Sequence, residues 1–291
     1  MQPNRTWLFA PGNHPRKVEK VFGAGADVAI LDLEDAVAVA EKVATRAAVA
    51  AALALPRECR AYVRVNALDT GFTFGDIEEV VGPGLDGIVL PKVERAADIQ
   101  MVDWVIGALE QKHGLVAGAI DLMPILETGR GIADARAICA AGGRLKRVSF
   151  GAGDYTRDMG MEWTMTEHEI DPARAEVVLA SRINDLEPPV DTVFIHIRAH
   201  DAFRASCERV RQSGFQGKLC IHPDQVGLAN AVFTPTAEDV AWARKIVAAF
   251  REAEAAGSAS IQVEGHFVDY PIVEKAERIV ALAEAVAGSG Q

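Results

Sequence analysis

Short apolar runs rich in strand-forming residues alternate along this chain with longer, alanine-rich stretches of helical character. Eight such runs read as strands, at residues 7–10, 28–33, 61–65, 87–90, 122–126, 147–150, 191–195 and 218–221. The helical stretches among and after them include 15–23, 41–54, 96–112, 131–140, 173–184, 202–213 and 237–255. Strands alternating with helices of this length imply βαβ units and a parallel sheet. Near-continuous apolar strands suit a sheet covered on both faces. Eight repeats favour a closed TIM (β/α)8 barrel over an open doubly wound sheet. A Gly/Ser break at 256–260 is followed by IQVEGHFVDYP and an amphipathic helix at about 272–287. This tail is surplus to a barrel. The expected organisation is therefore a barrel over 1–255 and a C-terminal flap and helix over 256–291, the tail serving as a mobile cover or a subunit-contact arm.

Barrel active sites collect at the C-terminal ends of the strands. After the second run stand Asp32, Glu34 and Asp35, after the third Arg64 and Asn66, and after the fourth Lys92 and Glu94. Glu127 follows the fifth run and Asp154 the sixth, while the eighth ends at His222. One rim thus gathers five carboxylates (Asp32, Glu34, Asp35, Glu127 and Asp154) and two cations, Arg64 and Lys92. A loop charge or helix cap explains any single member, but the crowding calls for a counter-charge. Hard oxygen donors without cysteine or paired histidine suit Mg²⁺ or Mn²⁺ rather than Zn²⁺.

Composition narrows the classes. The 291 residues, 49% of them hydrophobic, can bury a large core, and the formal net charge is −11. No basic run or face points to nucleic acid. No apolar stretch of about 18 residues points to a membrane span, and the N-terminus lacks the apolar region of a signal peptide. Cys59, Cys139, Cys207 and Cys220 are far apart and read as reduced thiols of a cytoplasmic protein.

Several segments carry a family pattern: RTWLFAPG (5–12), ILDLEDAV (30–37), YVRVN (62–66), GIVLPKVE (87–94), PILET (124–128), FGAGDY (150–155), IHPDQV (221–226) and GHFVDYP (265–271). In this order and over nearly the whole chain, they resemble the citrate lyase β-subunit, malyl-CoA lyase and citramalyl-CoA lyase group of the HpcH/HpaI aldolase superfamily. The resemblance implies a Mg²⁺-dependent, Claisen-type carbon–carbon lyase acting on an acyl-CoA and a keto acid. It implies Glu127 and Asp154 as metal ligands, with Glu34 and Asp35 holding metal-bound waters. Arg64 would contact the thioester or keto acid, and Lys92 is a further substrate-binding candidate. Asp269 matches an acid or base on a flap that reaches a neighbouring subunit, in a homo-oligomer taken as a trimer or a dimer of trimers.

Three departures stand out. Gly153 occupies a position where relatives often carry another acidic or small residue. FIHIRAHDAF brings His196, Arg198 and His200 into a segment that is shorter and more acidic elsewhere. Phe267 and Val268 replace Met and Ile of the flap motif. Arg16, Lys17 and Lys20 read either as a site for coenzyme A phosphates or as an amphipathic helix face. His222 reads as packed at the rim, and His14 as a turn residue. Alternatives to a stand-alone CoA-ester lyase are a citrate lyase β-subunit working on a carrier-protein thioester, an aldolase of free keto acids, and a non-catalytic binding or assembly subunit.

Overall fold

The computed structural model describes residues 2–288. Its strands are β1 (Thr6–Pro11), β2 (Val28–Asp32), β3 (Arg60–Arg64), β4 (Gly87–Leu90), β5 (Asp121–Leu126), β6 (Ser149–Phe150), β7 (Val190–Asp191) and β8 (Gly217–Cys220). They close in sequence order into a parallel barrel, with β1 paired to both β2 and β8. The expected (β/α)8 barrel is present. Its interior is filled by inward side chains including Trp7, Ile30, Tyr62, Val89, Met123 and Leu219. Such layered filling makes the barrel a packed core whose chemistry moves to its rim.

The barrel helices are α1 (Pro15–Val21), α2 (Lys42–Ala52), α3 (Thr73–Val80), α4 (Ala96–Lys112), α5 (Gly129–Ala133), α6 (Ala135–Cys139), α7 (Ala152–Asp158), α8 (Asp171–Ile183), α9 (His200–Gln212) and α10 (Pro223–Phe233). Four details differ from the sequence pattern. The stretch 131–140 is two short helices that meet at Asp134. The sixth strand keeps only two of its four expected residues, and the Arg147 side chain before it pairs with Asp121 and Glu187. The seventh ends at Asp191 rather than running to 195. Beyond it the Thr192 hydroxyl accepts from Ala152 N–H at 2.8 Å, and Phe194 C=O accepts from the Gln225 side chain at 2.8 Å. Those partners take the place of a strand ladder. Finally, α10 follows β8 as the eighth barrel helix, in place of the 237–255 stretch.

The chain divides into two compact units, the barrel Asn4–Asn230 and a second built around residues 231–288. The second contains α11 (Ala237–Ala255), strands β9 (Ser260–Val263) and β10 (His266–Asp269), and α12 (Tyr270–Gly288). The expected split after residue 255 thus assigns α11 differently. Its apolar face, Ala243, Ile246 and Phe250, packs on Val263, Val268, Val273 and Ala276 of the hairpin and α12. The strands join through Glu264 (φ 48°) and Gly265 (φ 83°), the left-handed pair that a two-residue hairpin turn requires. A Thr236–Asp239 capping box starts α11.

One buried ionic network ties β7 and β8 to the helices outside them. Asp191 accepts from Arg174 Nε at 2.9 Å and Nη2 at 3.0 Å, and from the Lys218 amine. Glu167 accepts from Arg174 at 2.9 Å and from the Ser206 hydroxyl at 2.6 Å. Lys218 and Asp191 have no exposed side-chain surface.

Candidate active site

The register of the strands brings the rim charges together. Asp32 lies opposite Arg64 across β2 and β3. Arg64 grips it with a two-pronged hydrogen bond, Nε to Oδ1 at 2.7 Å and Nη2 to Oδ2 at 2.6 Å. Asp32 also accepts from the backbone N–H of Glu34 at 2.9 Å and of Ala36 at 3.2 Å, which closes the turn after β2. Burial raises the Asp32 carboxyl, but Arg64 and these amides outweigh it and hold the carboxyl below its ordinary value. The Lys42 amine caps the carbonyls of Leu33 and Glu34 at 3.1 and 2.7 Å. The segment LDLED is therefore a braced turn, and it aims Glu34 inward.

Glu34 is buried. Its Oε1 accepts from the Lys92 amine, and its Oε2 lies 3.0 Å from Arg64 Nη1 without an aligned hydrogen bond. Burial raises its pKa beyond what the two cations recover. Asp35 is more than half exposed, 3.6 Å from Lys92 Nζ and 3.8 Å from Arg64 Nη1. Lys92 adopts φ 52°, in the left-handed region that residues with a Cβ rarely enter. This conformation lets its N–H donate to Glu127 Oε1 at 2.9 Å while its amine holds Glu34 and lies 3.9 Å from Asp154 Oδ1.

Glu127 follows β5 and is 4% exposed. The next residue, Thr128, turns the chain into α5 by accepting from Gly131 N–H at 3.0 Å. The Glu127 carboxylate lies against Gly151. A Cβ on Gly151 would stand 2.5 Å from Glu127 Oε2 and 2.7 Å from its Cβ. Gly151→Ala should therefore push Glu127 aside and lower turnover by about a hundredfold, the cost of roughly 1 Å of misplacement. An unchanged rate in a variant with wild-type circular dichroism would contradict this. Asp154 sits in the first turn of α7, where the helix dipole favours a negative charge. Its Oδ1 is 2.6 Å from Arg157 Nη2.

Burial, and then the charges of Glu34 and Asp154, push the Glu127 carboxyl up to about 8 against the pull of Arg64 and Lys92. Three crowded carboxylates with only oxygen donors suit a small hard cation. Among the described residues no trio of His, Cys, Asp or Glu forms a protein-only cage. Mg²⁺ needs none, since it takes one or two carboxylates and keeps water or substrate elsewhere. Glu127 and Asp154 fit that ion.

A cavity of about 690 Å³ opens at this rim, within the barrel unit, a size suited to a small-molecule site. Asp35, Arg64, Glu127 and Asp154 line it, with Lys17 and Lys20 from α1 and His222 from the end of β8. Glu34 and Lys92 are not among the lining residues. Lys92, expected to touch substrate, is instead engaged by carboxylates. Asp269 belongs to the C-terminal unit, at the end of β10, and its Oδ1 lies 3.5 Å from Ile272 N. Sequence reasoning counted Asp32 among the rim charges without giving it a task; its place level with Arg64 is the signal. It gave no sign of Trp163, which also lines the cavity.

Comparisons with known proteins place the chain in a family. L-malyl-CoA/beta-methylmalyl-CoA lyase of Cereibacter sphaeroides is 38% identical over 98% of this chain and 96% of its own. Citrate lyase subunit beta of Leuconostoc mesenteroides subsp. cremoris is 36% identical over 97% and 93%. The crystal structure of CitE from Mycobacterium tuberculosis, in complex with magnesium, acetoacetate and coenzyme A, matches at a TM-score of 0.77 and 28% identity over 97% of this chain and 98% of that one. With residues 5–223 also matching the family pattern, from β1 to the start of α10 and across every rim group described above, the chain belongs to the HpcH/HpaI aldolase/citrate lyase family.

Proposed function

We propose that this chain is a Mg²⁺-dependent carbon–carbon lyase that cleaves or forms a 3-hydroxyacyl-CoA, such as malyl-CoA or citramalyl-CoA, by Claisen chemistry. It is a lyase by family and by its named relatives. The observation that carries the reading is the buried Glu127, crowded by Glu34 and Asp154 beside Arg64 in a cavity of ligand size. Glu127 and Asp154 would hold Mg²⁺, or Mn²⁺ in its place, which would supply Lewis acidity for the keto acid.

The chain's own groups do the rest. Arg64, fixed by Asp32, stabilises the enolate oxygen of the acyl fragment. Lys92 and Glu34 position Arg64 and Glu127, and Asp35 orients water at the exposed edge of the site. Lys17 and Lys20 place positive charge on the cavity wall for the coenzyme A phosphates. Asp269, on the C-terminal hairpin, takes a proton from the acyl methyl group in condensation and returns it in cleavage. It does so in the site of a neighbouring subunit of a trimer or dimer of trimers. All four cysteines are free, as suits work in the cytoplasm. No helix among the described residues is long and apolar enough to cross a membrane.

The test is turnover of malyl-CoA and citramalyl-CoA by the purified chain with Mg²⁺. Cleavage of either by the lone chain is expected. A second reading, a citrate lyase β-subunit acting on a citryl carrier-protein thioester, draws on the Leuconostoc relative. Activity on the carrier-linked substrate alone would favour it, and no reaction with any thioester would favour a binding subunit. Asp269→Asn should lower condensation by about 10² to 10⁴ with Mg²⁺ affinity unchanged. Mixing it with Glu127→Ala chains should restore part of the activity, and no recovery in mixed oligomers would remove the shared site.

A further inference from the structure

The cavity is divided by its chemistry. Asp32, Asp35, Arg64, Glu127 and Asp154 make one side, from the ends of β2, β3 and β5 and the start of α7. Leu8, Val193, Ile195, Leu219 and Ile221 make another, from β1, β8 and the loop after β7. Ile195 is 47% exposed and Ile221 37%, so apolar surface is left open beside the charged groups. Trp163 is a further apolar residue lining the same cavity. A Cβ on Gly153 would stand 3.6 Å from Trp163 Cζ3. The indole thus lies against Gly153, the residue adjoining Asp154.

The loop that carries Trp163 is tied down on both sides. Met161 N–H donates to Thr156 C=O at 2.8 Å. Thr164 donates from its N–H and its hydroxyl to Glu169 at 2.7 and 2.8 Å. Arg209 donates to Thr166 C=O. The backbone that carries this wall of the cavity is thus held in place. A wall of this kind does not complement a keto acid, whose polar oxygens belong with the charged groups. Nor does it suit the coenzyme A phosphates, whose cations are Lys17 and Lys20. It matches an alkyl group on the acyl carbon.

We infer that Trp163 determines specificity by seating an alkyl substituent of the acyl thioester, so that butyryl is bound above propionyl and propionyl above acetyl. The inference rests on the thioester-lyase reading for its ligand class. Its test is equilibrium binding of acetyl-, propionyl- and butyryl-CoA to the full chain by calorimetry, with Mg²⁺ and without keto acid. Each added methylene should tighten binding about fourfold in the wild type. Trp163→Ala should flatten the series to less than twofold, and Trp163→Phe, which keeps a flat apolar ring, should preserve most of the slope. A flat wild-type series, an unchanged slope in Trp163→Ala, or no binding of any of the three would overturn the inference. A methylene slope that depends on Trp163, in a chain that turns over no thioester, would support the seat and remove the lyase reading alone.

Discussion

Glu127→Ala should lower Mg²⁺-dependent turnover by on the order of a thousandfold, equivalent to the several kcal/mol that a Lewis-acid metal contributes. The same change should remove tight Mn²⁺ binding, followed by electron paramagnetic resonance. Two features make the effect large. Glu127 is nearly inaccessible and is one of the two carboxylates assigned to the ion, so its loss removes half of the protein's ligand charge. It is also held from two directions, by Lys92 N–H at 2.9 Å and by the bare backbone at Gly151. Glu127→Gln separates charge from shape. It keeps an oxygen for the Lys92 amide but removes one of three crowded carboxylates. The metal-free Gln variant should therefore melt a few degrees above the wild type while being nearly as inactive as the Ala variant, a trade of stability for function. Full activity in either variant would place the metal elsewhere.

Asp191→Asn is the change with the largest expected cost to stability, about 3–5 kcal/mol by urea denaturation. That is a large share of the roughly 5–15 kcal/mol that holds most domains together. Asp191 neutralises Arg174 and Lys218 where all three side chains are buried, and the Asn variant leaves Lys218 buried without its anion. Adding Lys218→Met should then restore at least about 1 kcal/mol, because a well-packed apolar group avoids the desolvation cost of a buried charge. Burial raises the Asp191 carboxyl, but Arg174 and Lys218 prevail and hold it below its ordinary 3.8. As the pH falls, the unfolded chain thus takes up this proton before the folded one. The contribution is complete above about pH 5 and declines as the pH drops below about 4. Asp191→Asn should accordingly show a shallower loss of stability over that acid range than the wild type, and parallel curves would contradict the assignment.

The alternation of apolar runs and alanine-rich stretches was enough to place β1 to β5 and β8, because those strands are buried on both faces and their apolar character is continuous. It misplaced the later turns of the barrel for a definite reason. The residues after Asp191 are apolar enough for a strand, but Thr192 and Phe194 are bonded to Ala152 and Gln225 instead of a ladder. Helices α3, α7 and α10 are short or carry glycine, which blurs their periodicity. The hairpin of the C-terminal unit was foreshadowed only by Gly265.

Within the site, the charged residue types and their place after strands were readable, and the family pattern named Glu127 and Asp154 as the expected ligands. Their division of labour was not. Asp32 and Lys92 are bonded to other side chains of the site, by a strand register and a left-handed backbone that no residue pattern displays. Trp163 comes from a loop whose course depends on Glu169 and Arg209.

The most direct measurement is a crystal structure of the chain with Mn²⁺ and an α-keto acid, with the ion located by its anomalous signal. One peak on the carboxylates of Glu127 and Asp154, with the keto acid completing its shell in front of Arg64, is the expected result. A peak elsewhere, or a keto acid bound without an ion at those two residues, would contradict the site at the centre of this mechanism.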